Sequence, residues 1–392
     1  MKFLHPFPAR MAPEILDEIL SDIKRGETVL DPMCGSGTVL AKALANHRNA
    51  IGLDLDPLAV LLARALTVAT DRDDITSDAL AVLASAERRA TTPNKLPWIG
   101  RCEETSSFVD YWFGEEQANA LARLTAAINA HKFSSAQSKR LCQIALSRTI
   151  ITKHSGASLA WDISHSRPHK MKEADENDYD VFEGFRRAAN IVADIAAEHQ
   201  PTGTGRVLRA DARAAHSVVT GVDHIVTSPP YLNAIDYLRG HKFSLIWFGH
   251  TIPALRETRA ANIGAERAKD ADGSIDQKAL FNRLRRLRNL PTRQTGHLMR
   301  YAYDLKRMIG SAARTLREKG SLTVVIGNST VRGTYVENSE IFKWLATQGG
   351  FKFKREYTRR IPAARRYLPE SRDTDLGKRM RHEVVQTYVR AA

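Results

Sequence analysis

A strand, a glycine turn, a helix and a second strand follow one another within about thirty residues near the amino terminus. Few folds accommodate that order. Glu27-Thr28-Val29-Leu30-Asp31 reads as a short strand running into the turn Pro32-Met33-Cys34-Gly35-Ser36-Gly37. A helix is expected from about Thr38 to His47, and Ala50-Ile51-Gly52-Leu53-Asp54 as the second strand. Two strands joined through a helix lie parallel with a right-handed crossover, so the chain is committed to an α/β sheet. Ahead of this unit, Pro13 to Lys24 reads as a helix. Proline sits in its first turn, Ile15, Ile19 and Ile23 line up with Leu16 and Leu20, and Gly26 stops it.

The β signal then fades. From about 71 to 200 the segments 116–128, 139–151 and 182–199 show helical spacing, and 164–180 reads as an exposed polar loop. Strands resume at Arg206–Asp211 and Asp223–Ser228. After them come a helix near 298–317, a strand at 321–327, a helix near 339–348, and a closing pair at 351–358 and 383–389. For 392 residues this means one large domain with an insertion, or two domains. We divide the chain into 1–70, the first part of a cofactor-binding catalytic domain; 71–205, a mainly helical insertion; and 206–392, the remainder.

The glycine turn narrows the ligand. Gly35 and Gly37 let a ligand approach the backbone, and the helix beginning at Thr38 points its free N–H groups into that space. Asp54 ends the second strand about twenty residues on, where a carboxylate can take ribose hydroxyls. The third glycine of a dinucleotide site is missing, as is the Gly-Lys-Ser/Thr of an ATP site. Asp31, at the strand end, suits an ammonium better than a pyrophosphate. A ligand carrying a ribose, a carboxylate and an ammonium is S-adenosylmethionine (SAM).

Thr227-Ser228-Pro229-Pro230-Tyr231 ends the fourth strand of the sheet. Two prolines remove two donors and stop the strand, leaving a rigid ledge with a free carbonyl at Pro229. Such a ledge suits alkylation of an exocyclic amine on a nucleobase, a nitrogen whose lone pair is delocalised into the ring. Accepting its protons at Ser228 and at the Pro229 carbonyl frees that lone pair, while Tyr231 stacks on a base flipped out of the duplex.

Together, Asp31-Pro32-Met33-Cys34-Gly35-Ser36-Gly37-Thr38 and Thr227-Ser228-Pro229-Pro230-Tyr231 resemble the amino-methyltransferases of DNA, the N4-cytosine and N6-adenine enzymes. The resemblance covers 1–70 and 205–392. It implies a Rossmann-like class I SAM-dependent methyltransferase fold, with a mostly parallel seven-stranded sheet, an antiparallel last strand, and a mainly helical insertion. It implies that His5-Pro6-Phe7 closes over the methionine end of SAM, that Asp54 is the ribose ligand, and that Asp211 lies near the adenine. Ser228 before Pro229-Pro230 is commonly the cytosine-N4 form, where adenine enzymes commonly carry Asp. The expected activity is therefore N4-cytosine methylation of duplex DNA, with N6-adenine methylation as the alternative. Guanine-N2 methylation of RNA is a further one, since the cofactor turn also resembles those enzymes. A DNA-binding regulator that keeps SAM as a sensor is a rival of another class, and the intact Ser-Pro-Pro-Tyr argues against it.

Charge agrees with a polyanionic partner. Lys and Arg number 58 against 44 Asp and Glu, a net +14. Eight basic residues fall between Phe281 and Met308 with Asp304 as the only acid, and eleven against four acids between Lys352 and His382. The segments 250–300 and 359–382 are accordingly expected to contact DNA, and 71–205 is a candidate for its recognition.

Three separated cysteines, Cys34, Cys102 and Cys142, and no leader-like apolar run at Met1–Pro6 fit a reducing cytoplasm. No stretch reaches the length of a membrane span. His154, His165 and His169 lack a completing ligand, so no metal is expected. Cys34 reads as a small buried residue. Tyr237, Phe243, Trp247 and Phe248 read as core, with Tyr237 the one able to face a base. Asn328 is a candidate polar group in the cleft. There is no nuclease motif, so any restriction endonuclease paired with this activity is expected to be a separate protein. Oligomeric state is not legible.

Overall fold

Val29 and Leu30 are 1% and 0% exposed, so the strand holding them is covered on both faces, as a central strand of a parallel sheet must be. The computed structural model describes residues 2–7, 10–89, 96–152, 156–161, 163, 168–170, 173, 176–232, 236–265, 275–361 and 382–391. The chain starts with α1 (Pro13–Ser21), β1 (Thr28–Asp31), α2 (Thr38–Ala45), β2 (Asn49–Asp54) and α3 (Pro57–Ala65). The insertion supplies α4 (Arg72–Arg88), α5 (Pro97–Gly100), α6 (Glu103–Trp112), α7 (Glu115–Ala130), α8 (Ala136–Ile150), β3 (Ala160–Trp161), β4 (His169–Lys170) and α9 (Val181–Ala197). Next come β5 (Gly205–Arg209), β6 (Val222–Thr227), α10 (Leu238–Leu245), α11 (Ile252–Ala260), α12 (Gln277–Arg283) and α13 (Thr292–Thr315). The chain closes with β7 (Leu316–Gly327), β8 (Ser329–Val331), β9 (Thr334–Val336), α14 (Asn338–Gln348), β10 (Phe351–Arg360) and β11 (His382–Arg390).

Seven strands form one sheet in the order β10-β11-β7-β6-β1-β2-β5. β5, β2, β1, β6 and β7 run parallel, and β11 is antiparallel to both β7 and β10. This is the order and the single reversed strand of the class I SAM-dependent methyltransferases, the fold expected above. The connection that leaves β1 runs to β2 on one side, and the connection that leaves the neighbouring β6 runs to β7 on the other. The crevice at such a switch point, outside the carboxyl ends of the strands, is where open α/β sheets bind ligands. Asp31 and Thr227 end the two strands that flank it.

The insertion is not a tethered appendage. Its helices share one apolar core with Leu58 and Leu62 of α3, Leu4 of the amino-terminal segment, and Phe243 and Trp247 after the Ser-Pro-Pro-Tyr motif. A second core lies under α13 and α14, and a third under α1 and α2. Part of 164–180, expected as loop, pairs instead: β3 and β4 form a short antiparallel ribbon joining Ala160 with Lys170 and Trp161 with His169. No helix among the described residues is long and apolar enough to cross a membrane.

Candidate active site

β1 delivers Asp31 to the crevice, and the next seven residues fold back around it. Cys34 N–H donates to the Leu53 carbonyl (2.9 Å) and Gly37 N–H to the Cys34 carbonyl (2.8 Å), which close the turn. Gly37 caps α2 with φ +83°, and a Cβ there would lie 2.9 Å from Ala63 Cα. Only glycine fits both the backbone angle and the space. Asp54, at the end of β2, braces the turn from the other side: Oδ2 accepts from Gly35 N–H and Oδ1 from Asp56 N–H, both at 2.9 Å.

Asp31 is buried, and its hydrogen bonds are one-sided. Oδ1 accepts from the Met33 N–H (3.1 Å) and the Thr227 hydroxyl (2.7 Å), while no described residue bonds Oδ2. Burial, reinforced by the charge of Asp54, pushes the Asp31 carboxyl up to about 7. Burial and the neighbouring charge of Asp56 push Asp54 up to about 6. Two buried carboxyls lie at one crevice, Asp54 held by backbone N–H groups and Asp31 with Oδ2 unbonded among the described residues, and they suit a ligand that brings a positive charge and hydroxyl donors. SAM has an ammonium and a ribose, which makes Asp31 and Asp54, beside the Gly35–Thr38 backbone, the candidates to hold them. Cys34 is buried with its thiol well above the ordinary range, chiefly through burial, so it is packing rather than chemistry.

The amino-terminal segment lies over this turn. The Phe7 ring approaches to 3.3 Å of where a Gly35 Cβ would sit, and it stacks on Tyr237 at 5.5 Å between ring centres. His5, 2% exposed, reaches Ser147 Oγ of α8 through Nε2 (2.7 Å) and the Pro6 carbonyl through Nδ1 (2.6 Å). Burial holds its pKa well below the ordinary histidine value. Arg148 donates to the Leu4 carbonyl (2.9 Å), and Arg10 to Ser36 Oγ (3.1 Å) and to the His5 carbonyl. Residues of the insertion thus pin down the segment that covers the glycine turn.

Beyond β6, Ser228 Oγ lies 3.3 Å from the Tyr231 hydroxyl, on one side of the Pro229-Pro230 ledge. Burial raises the Tyr231 phenol above its usual range, so it stays protonated. The Leu232 carbonyl accepts from Ser329 Oγ (2.6 Å), which ties the loop to β8. Ser228 is therefore separated from Asp31 by one residue, Thr227, through its contact with Asp31.

Other residues singled out in the sequence have different surroundings. Asp211 is gripped by Arg213, whose Nε reaches both carboxylate oxygens at 3.0 Å and whose Nη1 bonds Asp304 (2.6 Å). Its acceptors are engaged within the protein. Asn328 is likewise committed, to Ser339 and to the Tyr335 hydroxyl. Tyr237 is turned toward Phe7 and the cofactor turn. Of the three histidines, His169 lies in β4 and the other two fall outside the described residues. Most of 359–382 and part of 250–300 fall outside them too.

Sequence reasoning missed one buried pair. His241 of α10 bonds Asp56 through Nδ1, both nearly inaccessible, and its Nε2 has no partner among the described residues. Asp56 also caps α3 by accepting from Leu58 N–H (2.9 Å). No spacing rule joins positions 56 and 241, so the sequence held no signal for it.

Strand order and crevice define the class I SAM-dependent methyltransferase fold. Residues 2–64 match the model of a DNA methylase family. The Type II methyltransferase M.MvaI of Kocuria varians is 22% identical over 98% of this chain and 88% of its own length. The Type II methyltransferase M.BsoBI of Geobacillus stearothermophilus is 22% identical over 67% of this chain and 55% of its own length. Among solved structures, TrmN from Thermus thermophilus aligns over 97% of this chain and 49% of its own, with 12% identity and a TM-score of 0.33. A SAM-dependent methyltransferase from Methanosarcina mazei aligns over 98% and 99%, with 9% identity and a TM-score of 0.35. The resemblance to the N4-cytosine and N6-adenine DNA amino-methyltransferases is borne out by the family match and the two relatives, and SAM follows as the methyl donor.

Proposed function

We propose that this protein is a site-specific DNA methyltransferase that moves the methyl group of SAM to the exocyclic N4 amine of a cytosine flipped out of duplex DNA. The observation that carries this is the Ser228–Tyr231 pair, set on a proline ledge and joined to Asp31 through Thr227. When bound, SAM supplies an electrophilic methyl group. Asp31 and Asp54 would hold its ammonium and ribose, and Phe7 would cover the turn. Ser228 Oγ and the Pro229 carbonyl would accept hydrogen bonds from the two amine N–H groups, which favours a pyramidal nitrogen with its lone pair free for the methyl carbon as the sulfur leaves, one N–H proton then passing to solvent. The Tyr231 ring would stack on the base. A hydroxyl before the two prolines, where adenine enzymes commonly carry a carboxylate, favours cytosine. DNA as substrate agrees with the net charge of +14 and with the family match.

The test is nucleoside mass spectrometry of duplex DNA incubated with the purified protein and SAM. N4-methylcytosine is expected, and Ser228→Ala should abolish it with SAM binding intact. N6-methyladenine would keep the chemistry and overturn the base assignment. Methyl incorporation into structured RNA but not DNA would overturn the substrate.

A further inference from the structure

At the carboxyl end of β7 the chain leaves the sheet and makes a small two-stranded ribbon, β8 and β9, that touches the catalytic loop. Ser329 at its base donates to the Leu232 carbonyl (2.6 Å), one residue beyond Tyr231. Asn338 fixes the same base, donating to Ser329 Oγ (2.9 Å) and to the Gly327 carbonyl (2.8 Å). The pairing is Ser329 with Val336, Thr330 with Tyr335, and Val331 with Thr334. Val331 and Val336 are buried, so one face is anchored, and Tyr335 stands 43% exposed on the other.

The tip is the informative part. Arg332 and Gly333 form the two-residue turn, with φ +49° and +81°. Turns of this hand favour Asn or Gly at both central positions, and a branched or long side chain at the first costs stability. Arginine in that place is a poor choice for folding. Its side chain is exposed and makes no hydrogen bond or ion pair with a described residue. His47 and Lys319 share the left-handed backbone, but Arg332 is the one at the tip of a ribbon bonded to the Ser-Pro-Pro-Tyr loop, and strain kept there suggests that the side chain itself is used.

The surroundings say by what. The turn Arg285–Asn289 packs against β9, with Leu287 buried beneath it and Arg285, Arg286 and Arg288 exposed. Neither 285–289 nor 329–336 contains an acidic residue. A cationic ridge beside a ribbon narrow enough for a major groove complements a polyanionic duplex.

We propose that the ribbon Ser329–Val336 is a duplex-contacting finger, with Arg332 at its tip engaging the DNA beside the base drawn to Ser228–Tyr231. This rests on the reading of the protein as a DNA methyltransferase. The finger springs from the strand next to β6 and is bonded to the catalytic loop, so its seating on DNA and the placing of the loop are mechanically linked.

The test uses the full chain and Arg332→Asn, a change that suits the left-handed backbone and removes the cation. Three quantities are compared with the wild type: melting temperature, SAM affinity, and affinity for a fluorescent mixed-sequence duplex. The variant should melt at or above the wild-type temperature, bind SAM equally, and bind the duplex at least ten-fold more weakly. Arg285→Gln with Arg286→Gln should lower duplex affinity further and flatten its salt dependence. Wild-type duplex affinity in Arg332→Asn would overturn the finger, whatever base is methylated. Duplex binding lost in the variant, beside a wild type that methylates no DNA, would instead support the finger and remove the methylation reading. A wild type without duplex affinity would overturn the finger as well.

Discussion

The Thr227 hydroxyl donates to Asp31 Oδ1 across 2.7 Å, joining the last residue of β6 to the last residue of β1. Both are buried, and this bond ties the glycine turn to the Ser-Pro-Pro-Tyr loop. It also fixes which carboxylate oxygen of Asp31 is left over. With Oδ1 taken by Thr227 and Met33, Oδ2 remains for a ligand. Thr227→Val keeps the shape and removes the donor. A hydrogen bond to a charged group is worth about 1.5 kcal/mol or more, so SAM should bind roughly ten-fold more weakly. Calorimetric titration with SAM, with duplex affinity as the control, checks this; unchanged SAM affinity would refute the role.

Asp31 also sets a pH dependence. Its carboxyl is raised from 3.8 to about 7 by burial, so in the ligand-free protein it contributes stability while protonated and loses that contribution as pH rises through about 7. Asp54, raised to about 6, acts in the same sense over a lower window. Asp31→Asn removes the titration. The variant should therefore melt above the wild type at pH 8, with the difference shrinking toward pH 5, and it should bind SAM poorly at both. In the wild type, SAM affinity should fall as pH drops below about 7, because the ammonium then meets a neutral acid. Thermal melts and titrations at pH 5, 6, 7 and 8 decide it. A Tm difference between the two proteins that does not vary with pH would contradict the assignment.

Gly37 offers a purely conformational test. Its φ of +83° and the 2.9 Å approach of a hypothetical Cβ to Ala63 Cα act together, and the obstacle is backbone rather than a flexible side chain. Gly37→Ala should cost about 1–3 kcal/mol of stability and loosen the packing of α2 on α3. Gly26, also at positive φ, has nothing within 4 Å of its Cβ position. Gly26→Ala should therefore cost less, and chemical denaturation of the two variants gives the comparison.

How much of this was legible beforehand follows from the range of the interactions. The βαβ unit was readable because strand, turn and helix are local patterns, and Thr28–Asp31 and Asn49–Asp54 fall within a residue or two of expectation. The Ser-Pro-Pro-Tyr ledge was readable because two prolines impose their geometry on any chain. The ribbon at 329–336 carried a usable signal, a β-rich run broken by a residue and a glycine, which short length disguised. The Asp31–Thr227 bond spans almost two hundred residues, and Arg213's grip on Asp211 depends on Asp304 from a distant helix. Such contacts are fixed by sheet order, and sheet order is not written in any one segment. The packing of the insertion onto α3 and Leu4 was hidden for the same reason, since apolar helix faces do not name their partners.

That packing leads to a last expectation, about the amino-terminal segment. Ser147 is fully buried in α8, and its hydroxyl lies 2.7 Å from His5 Nε2 and 2.8 Å from Ser244 Oγ. His5 is held neutral by burial, and Nδ1 faces the Pro6 carbonyl, which can only accept. Ser147 Oγ, which donates to Ser244 Oγ, is the polar group set against Nε2. Ser147→Ala leaves that nitrogen buried and unpaired, at a cost of about 1–3 kcal/mol. On the proposed reading His5 and Phe7 cover bound SAM, so the ligand-free protein can relieve the cost by letting them lift away from the glycine turn while the bound form keeps it. The variant should therefore show a raised KM for SAM with kcat nearly unchanged, and a smaller rise in Tm on adding SAM than the wild type. Ser147→Thr, which keeps the hydroxyl, should recover part of both. Equal SAM-induced shifts in wild type and Ser147→Ala would mean that α8 supports the fold without holding the segment over the site.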